Sequence, residues 1–272
     1  MPIWDRKKGT KNMLVMTKRR KFLLVSILLS FGLLIVQRLP VESRYSAIGF
    51  FALSAGLLTT WSLLKDLHGI AWLVNLILPT LYPVSVALFY FLLPQAAITR
   101  GIVVLLFAVS MYALLLTVNI FAVATTRTIQ LLRAARAVGF ILSILTSAFL
   151  FHVIFSLRVA WWIVGLLVFV SALPILWQGV WSYVASNTIK REFYYGLVGA
   201  VVIAEMGIAL SFWLIEVPLA SVVLAMGMYV TLGLFQHDLE GRLFSRTIQE
   251  YLGFAGIVFL VVTTAVIMRW MR

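Results

Sequence analysis

Residues 137–181 of the chain read AVGFILSILTSAFLFHVIFSLRVAWWIVGLLVFVSALPILWQGVW. Arg158 is the only Asp, Glu, Lys or Arg in this stretch. An α-helix needs about 20 predominantly apolar residues to cross the hydrocarbon of a bilayer. The stretch therefore predicts two membrane helices, residues 137–157 and 159–181, joined by a very tight turn at Arg158.

The composition of the whole chain leads to the same class of protein. Of its 272 residues, 63% are hydrophobic and 11% are charged. Soluble domains are usually about 45–50% apolar and about 25% charged. A soluble fold of this length cannot bury so much apolar surface, so lipid is the expected solvent.

The same length and hydropathy requirement is met along the rest of the chain. The sequence predicts an all-α bundle of about nine transmembrane spans, forming one domain over residues 22–272 after a basic tail, residues 1–21. The short connections leave no room for a separate soluble catalytic domain. In chain order the predicted spans are residues 22–37, 45–64, 69–93, 101–124, 137–157, 159–181, 194–215, 217–235 and 251–268.

Basic residues predict the orientation, because cytoplasmic loops carry an excess of Lys and Arg. A cytoplasmic N-terminus places most of the 22 basic residues inside, and the tail supplies the largest share. An odd number of spans then puts the C-terminus outside. The expected location is a plasma (inner) membrane, with a prokaryotic one as the default because no organelle-targeting segment is visible.

The basic tail has a simple physical interpretation. Such a segment attracts anionic lipid at about 1 kcal/mol per basic residue, so anionic lipid is a predicted partner. The run Lys18-Arg19-Arg20-Lys21 resembles the start of a signal peptide, but no small-x-small cleavage site follows, so an uncleaved first span is expected. Despite the net charge of +13, no nucleic-acid-binding motif is present, and no nucleic-acid partner is expected.

The sequence offers little for cofactor chemistry. It contains no Cys, and its three His residues, His68, His152 and His237, are too far apart for a local zinc motif. Nucleotide-binding and hydrolase motifs are absent as well. We therefore expect no metal and no cofactor, and a non-enzyme is favoured over an enzyme.

Glu205 is the one acid predicted to lie deep within a span. An ionised side chain at mid-helix costs about 3 kcal/mol on insertion scales, and such a residue is a functional hypothesis by default. Small residues recur around it, including Ala200 and Ala204, and small-x-x-x-small spacing favours close helix packing. This packing is expected to set Glu205 beside a tightly packed face rather than one facing lipid.

Three other polar residues within spans accompany Glu205. His152 is a candidate partner for it, although the sequence does not say whether the two helices touch. Asn75 and Asn119 either hydrogen-bond across helices, as intramembrane amides commonly do, or line a polar pathway together with His152 and Glu205.

Two connections are predicted to carry surface helices. Arg127, Arg133 and Arg136 are spaced by multiples of three and so roughly share one helix face. They either contact a lipid or substrate phosphate or act as ordinary cytoplasmic anchors, on an interfacial helix or on an extension of a span. Residues 236–250, in which acidic and basic residues nearly balance, also suit a surface helix.

Three functions are compatible with these features. The first is a small transporter-like protein in which Glu205 is a protonatable coupling site. The second is a non-catalytic membrane subunit or scaffold with a protein partner. The third is an intramembrane enzyme acting on a lipid-linked substrate, which is less favoured because the Arg cluster and Glu205 lie far apart in depth.

Overall fold

The computed structural model describes residues 17–40, 43–63, 71–94, 96–124, 131–184 and 190–271. These residues form nine α-helices and no strand. Each helix is long and apolar enough to cross a membrane, which confirms the all-helical prediction for this part of the chain and indicates a multi-pass membrane protein. The helices are α1 (Lys18–Arg38), α2 (Arg44–Leu63), α3 (Ala71–Tyr90), α4 (Ala97–Ala124), α5 (Leu132–Ser156), α6 (Trp161–Val184), α7 (Lys190–Ser211), α8 (Val217–Leu239) and α9 (Ser245–Trp270).

Where the structure describes them, both connections mostly continue the long helices, which is the second of the two alternatives given for residues 127–136. The described part of the predicted interfacial helix at 127–136 is the first turn of α5, and residues 125–130 lie outside the described residues. The predicted surface helix at 236–250 is wrong, since these residues end α8 and begin α9. Polar residues at span ends continue the helix because the ladder of backbone hydrogen bonds extends beyond the apolar segment.

A Schellman motif ends α8 at Gly241, whose φ is +67°. The Arg242 amide donates to the His237 carbonyl oxygen at 3.0 Å, and the Gly241 amide donates to the Asp238 carbonyl oxygen at 2.9 Å. The left-handed conformation suits glycine because it has no Cβ. The reversal is short enough to turn the chain directly from α8 into α9.

The tight turn predicted at Arg158 is confirmed. Arg158 has a φ of +50° and follows α5, and α6 begins at Trp161. The Leu157 and Arg158 amides close the helix by donating to the Ile154 and Phe155 carbonyl oxygens at 3.2 and 3.3 Å. An arginine in the left-handed region is uncommon, and here it lets two long helices reverse direction within a few residues.

Two apolar cores hold the described helices together. The first is built from α1 to α4 with Leu142 of α5, and the second from α5 to α8 with one residue of α9. Contacts of α3 with α5 and α6 join the two cores. The bundle is therefore one continuous helical body with α9 at its edge.

The most extensive contact between two helices is that of α6 with α7. A Cβ on Gly196 would lie 3.0 Å from the Trp177 Cα atom and backbone nitrogen, and one on Gly207 would lie 3.2 Å from the Val168 side chain. Small residues let helix backbones approach closely in a membrane, where packing rather than water exclusion drives association. The small-residue face of α7 is thus a packing surface, as predicted.

Candidate functional site

Glu205 lies on the exposed side of α7. The small residues Gly196, Ala200 and Gly207 are buried against neighbouring helices. Because successive helix residues are rotated by about 100°, Glu205 falls on the side roughly opposite Gly196, and it is exposed. The expectation that Glu205 lies beside a packed face and away from lipid is therefore wrong.

Glu205 lies in the C-terminal half of α7. It precedes the end of α7 at Ser211 by six residues, which is about 9 Å along the helix at a rise of about 1.5 Å per residue. The middle of α7 falls between Ala200 and Val201, so Glu205 is nearer to the centre of the helix than to its end. Glu205 makes no hydrogen bond and no ion pair with any residue that the structure describes.

His152 links three helices, but Glu205 is not among its contacts. Its Nδ1 lies 3.3 Å from the Ser221 hydroxyl of α8, and its ring meets that of Phe89 on α3 edge-on, with centroids 5.1 Å apart. The Ser221 hydroxyl donates to the Pro218 carbonyl oxygen at 2.8 Å. It is therefore available as an acceptor for a proton on Nδ1, so His152 ties α5 to α8.

Asn75 and Asn119 lie in the N-terminal half of the bundle. The Asn75 side chain is fully buried, and neither its amide nitrogen nor its amide oxygen has a partner among the described residues. The Oδ1 atom of Asn119 is likewise unpaired there. Within the described ranges no hydrogen bond or ion pair links any two of Asn75, Asn119, His152 and Glu205, so these residues do not form one connected polar site.

The arginines predicted to bind a phosphate do not share one environment. Arg127 lies outside the described residues, and Arg133 is exposed on the first turn of α5. Arg136 instead donates from Nη2 to the Tyr183 carbonyl oxygen at 2.6 Å and lies over the Tyr183 ring at 4.2 Å. Its Nη1 forms an ion pair with Glu240 at 3.4 Å. Arg136 is therefore part of an internal network.

Two further contacts extend this network, which we call the polar clamp. The Tyr195 hydroxyl of α7 donates to Asp238 at the end of α8. The Gln236 amide donates to the Gly179 carbonyl oxygen of α6 at 3.1 Å. The polar clamp joins the ends of α5, α6, α7 and α8 through Arg136, Tyr183, Tyr195, Gln236, Asp238 and Glu240. Most of its polar groups are paired with one another, although the Arg136 Nε atom is buried without a hydrogen-bond partner among the described residues. This pairing is typical of a structural contact between helix ends rather than of an open site.

The sequence gives little warning of the polar clamp. Arg136 and Glu240 are separated by 104 positions, and each could equally well be a solvated residue at a helix end. The available signal is the polar run Gln236-His237-Asp238 at the end of an otherwise apolar helix. That signal identifies residues that could belong to such a network, but it does not show which of them contact one another.

An apolar groove lies between α7 and α9, with α8 as its floor. Its volume is about 380 Å³, and its walls include Val202 and Met206 of α7 and Gly256 and Phe259 of α9. Val202 and Met206 flank Glu205 along α7. We call this surface, together with the exposed Glu205 beside it, the α7–α9 groove.

The ninth helix is the most weakly held of the nine. Only 11% of its apolar window is buried, against 33–50% for the other described helices. A Cβ on Gly253 or Gly256 would meet no atom within 4 Å. The glycines of α9 therefore present an open backbone surface, unlike those of α7, which are filled by neighbouring helices.

A family model matches most of the chain. The model of a family described as a protein of unknown function (DUF5656) matches residues 22–265, which is most of the chain. Comparisons with curated proteins and with solved structures find no match. The function must therefore be argued from the arrangement of the side chains.

Proposed function

We propose that this chain, which belongs to the DUF5656 family, is a non-catalytic subunit of a membrane assembly. Its role is to receive a transmembrane helix of a different protein in the α7–α9 groove. The observation that supports this most directly is the exposed, unpartnered carboxyl group of Glu205 beside an apolar groove.

The energetic argument starts from the environment of Glu205. A carboxyl group facing lipid is unfavourable by about 2.5–3.5 kcal/mol at mid-helix on insertion scales, less near the interface, unless another side chain pairs with it. A hydrogen bond from a neighbouring helix contributes about 1–2 kcal/mol in model systems. Docking a helix that carries a donor therefore removes an unfavourable exposure and adds a favourable contact at the same position.

The partner is a different protein because this chain lacks the complementary charge at that depth. In its described helices, Lys and Arg occur near the helix ends. A second copy inserted in the same orientation would therefore bring one Glu205 towards another rather than towards a cation. The partner helix is expected to carry Arg, Lys, His or an amide opposite Glu205.

The shape of the groove supports the same assignment. Its walls are apolar, and Gly256 of α9, which lines it, leaves the backbone uncovered. Open glycines allow a partner helix to approach closely, which is how helices gain packing contacts in lipid. Together with the small buried fraction of α9, this indicates a surface that another helix completes.

The other two functional hypotheses have less support. A transporter with Glu205 as its coupling site needs a polar route, yet His152 is held by Ser221 and Phe89. An enzyme acting on a lipid-linked phosphate needs free arginines, yet Arg136 is bound by Glu240 and Tyr183.

Native mass spectrometry of the protein extracted from its own membrane tests the proposal. Wild type should carry one stoichiometric protein partner, Glu205→Leu should lose it, and Glu205→Gln should retain part of it because an amide still hydrogen-bonds. Glu250→Leu is the matched control, since Glu250 is an exposed acid whose only ion pair within the described residues is with Arg246. It should behave as wild type.

Two results would count against the proposal. A partner that remains bound to Glu205→Leu would show that Glu205 is not the contact. If wild type is recovered alone or only as a homodimer, it has no different protein as a partner, and the proposal is wrong. The isolated Glu205→Leu variant should be at least as stable as wild type, so loss of the partner is distinguishable from unfolding.

A further inference from the structure

A second cavity lies at the end of the bundle where α5 turns into α6 and α7 turns into α8. Its volume is about 960 Å³, and α9 closes one side through Val266 and Arg269. This is at the upper end of the range of about 300–1,000 Å³ typical of small-molecule sites. None of the predicted site residues lines it.

The cavity has an apolar wall and a charged rim. Phe155, Leu210 and Trp213 contribute to the wall, and Arg158 and Glu216 to the rim. The rim residues come from the two connecting turns, and the wall residues come from helix ends and the start of the α7–α8 turn. A site of this kind suits a molecule with a hydrocarbon part and one polar end.

The charges on the rim do not cancel. Glu216 is already paired with Arg269, so its carboxylate does not neutralise Arg158, the other basic residue of the cavity. The Arg158 side chain forms no hydrogen bond or ion pair within the described part of the chain. One positive charge therefore remains, and its guanidinium offers donors that match the oxygens of a phosphate or carboxylate.

The backbone fixes where this charge lies. The φ of +50° at Arg158 is imposed by the short reversal between α5 and α6, so the side chain is carried on a constrained turn rather than on a long loop. Leu214, which lines the cavity and is 76% exposed, continues the apolar surface outwards. The apolar lining of the cavity thus reaches the surface of the protein.

We propose that this cavity is a binding site for an anionic lipid, with the headgroup oxygens held by Arg158 and an acyl chain on the apolar wall. This site is independent of the α7–α9 groove. It also differs from the basic N-terminal tail, because it binds one molecule in a defined cavity rather than a charged surface.

The test is a lipid titration of the delipidated full-length protein, followed by native mass spectrometry. Phosphatidylglycerol is compared with phosphatidylcholine of the same acyl chains and with inorganic phosphate. One saturable phosphatidylglycerol molecule is expected, bound more tightly than phosphatidylcholine. Inorganic phosphate should not displace it at comparable concentrations, because phosphate lacks the acyl chain.

Two variants locate the site. Arg158→Asn removes the charge while keeping a residue that tolerates a positive φ, and it should weaken this binding by about ten-fold or more, the loss expected for a hydrogen bond to a charged group. Leu214→Trp should weaken it by narrowing the entrance, and because Leu214 is exposed the substitution leaves the core intact. Arg38→Asn removes an exposed charge at the end of α1, away from the cavity, and should leave the affinity unchanged.

Three results would overturn the inference. Equal affinity of Arg158→Asn and wild type would remove Arg158 from the site. An equal loss in Arg38→Asn would mean that overall charge, and not the cavity, binds the lipid. Displacement by inorganic phosphate at similar concentrations would show that the site takes a free anion and not a lipid.

Discussion

Replacing Gly196 with alanine should separate α6 and α7, the two helices with the most extensive contact in the bundle. The added Cβ would lie 3.0 Å from both the Cα atom and the backbone nitrogen of Trp177. These are backbone atoms, so no rotamer change can relieve the contact. Helix α7 must move away from α6 by several tenths of an ångström, which loosens an interface that also includes Ala200 and Gly207.

The expected size of the effect follows from two opposing contributions. Adding a methyl group to a well-packed interface costs about 1–3 kcal/mol. Alanine is favoured over glycine within a helix by about 0.5–1 kcal/mol. The free energy of unfolding of Gly196→Ala should therefore fall by up to about 2.5 kcal/mol.

Gly49→Ala is the matched control, because a Cβ at Gly49 in α2 meets nothing within 4 Å. It should leave the free energy of unfolding unchanged or raise it by up to about 1 kcal/mol. Reversible unfolding of the purified protein in mixed micelles, followed by circular dichroism, measures both variants. If Gly196→Ala is as stable as Gly49→Ala, α6 and α7 do not approach as closely as the structure indicates.

Three further outcomes are expected. A double-mutant cycle of Arg136→Gln and Glu240→Gln should give a coupling free energy of about 0.2–1 kcal/mol, since both side chains are partly exposed. A coupling of zero would mean that this ion pair does not contribute to the stability of the protein. Asn75→Leu should be neutral or stabilising, because a buried amide without a partner is replaced by an apolar group; a loss above about 2 kcal/mol would show that the amide is hydrogen-bonded. Because the chain contains no Cys, Arg158→Cys and Glu240→Cys each introduce a single thiol, and an impermeant thiol reagent outside intact cells should label the first and not the second. The reverse pattern would invert the predicted orientation.

The helices were predictable because the signal for a membrane span is local. Each span must satisfy its own backbone hydrogen bonds in lipid, so length and hydropathy identify it without knowledge of its neighbours. The span predicted at 137–157, for example, corresponds to α5, Leu132–Ser156. The error at residues 236–250 has a related cause, since polar residues at helix ends do not reveal whether they continue a span or begin a separate surface helix.

The surroundings of the polar residues were less predictable because they depend on which helices meet. The rotation between Gly196 and Glu205 along α7 already indicates opposite faces, so the exposure of Glu205 could have been inferred from the sequence. The contact of His152 with Ser221, and that of Arg136 with Glu240, join helices far apart in the chain. Nothing in a single sequence selects these partners over others.

Site-specific photo-crosslinking in native membranes tests the proposed docking surface most directly. A photoreactive residue is placed at Val202, on the wall of the α7–α9 groove, and in a separate variant at Leu106, on the exposed side of α4; these positions are 43% and 62% exposed. The proposal predicts a discrete adduct with one different protein from Val202, lost in the Glu205→Leu background, and no such adduct from Leu106. Adducts with lipid alone at both positions, or the same protein adduct at both, would contradict it.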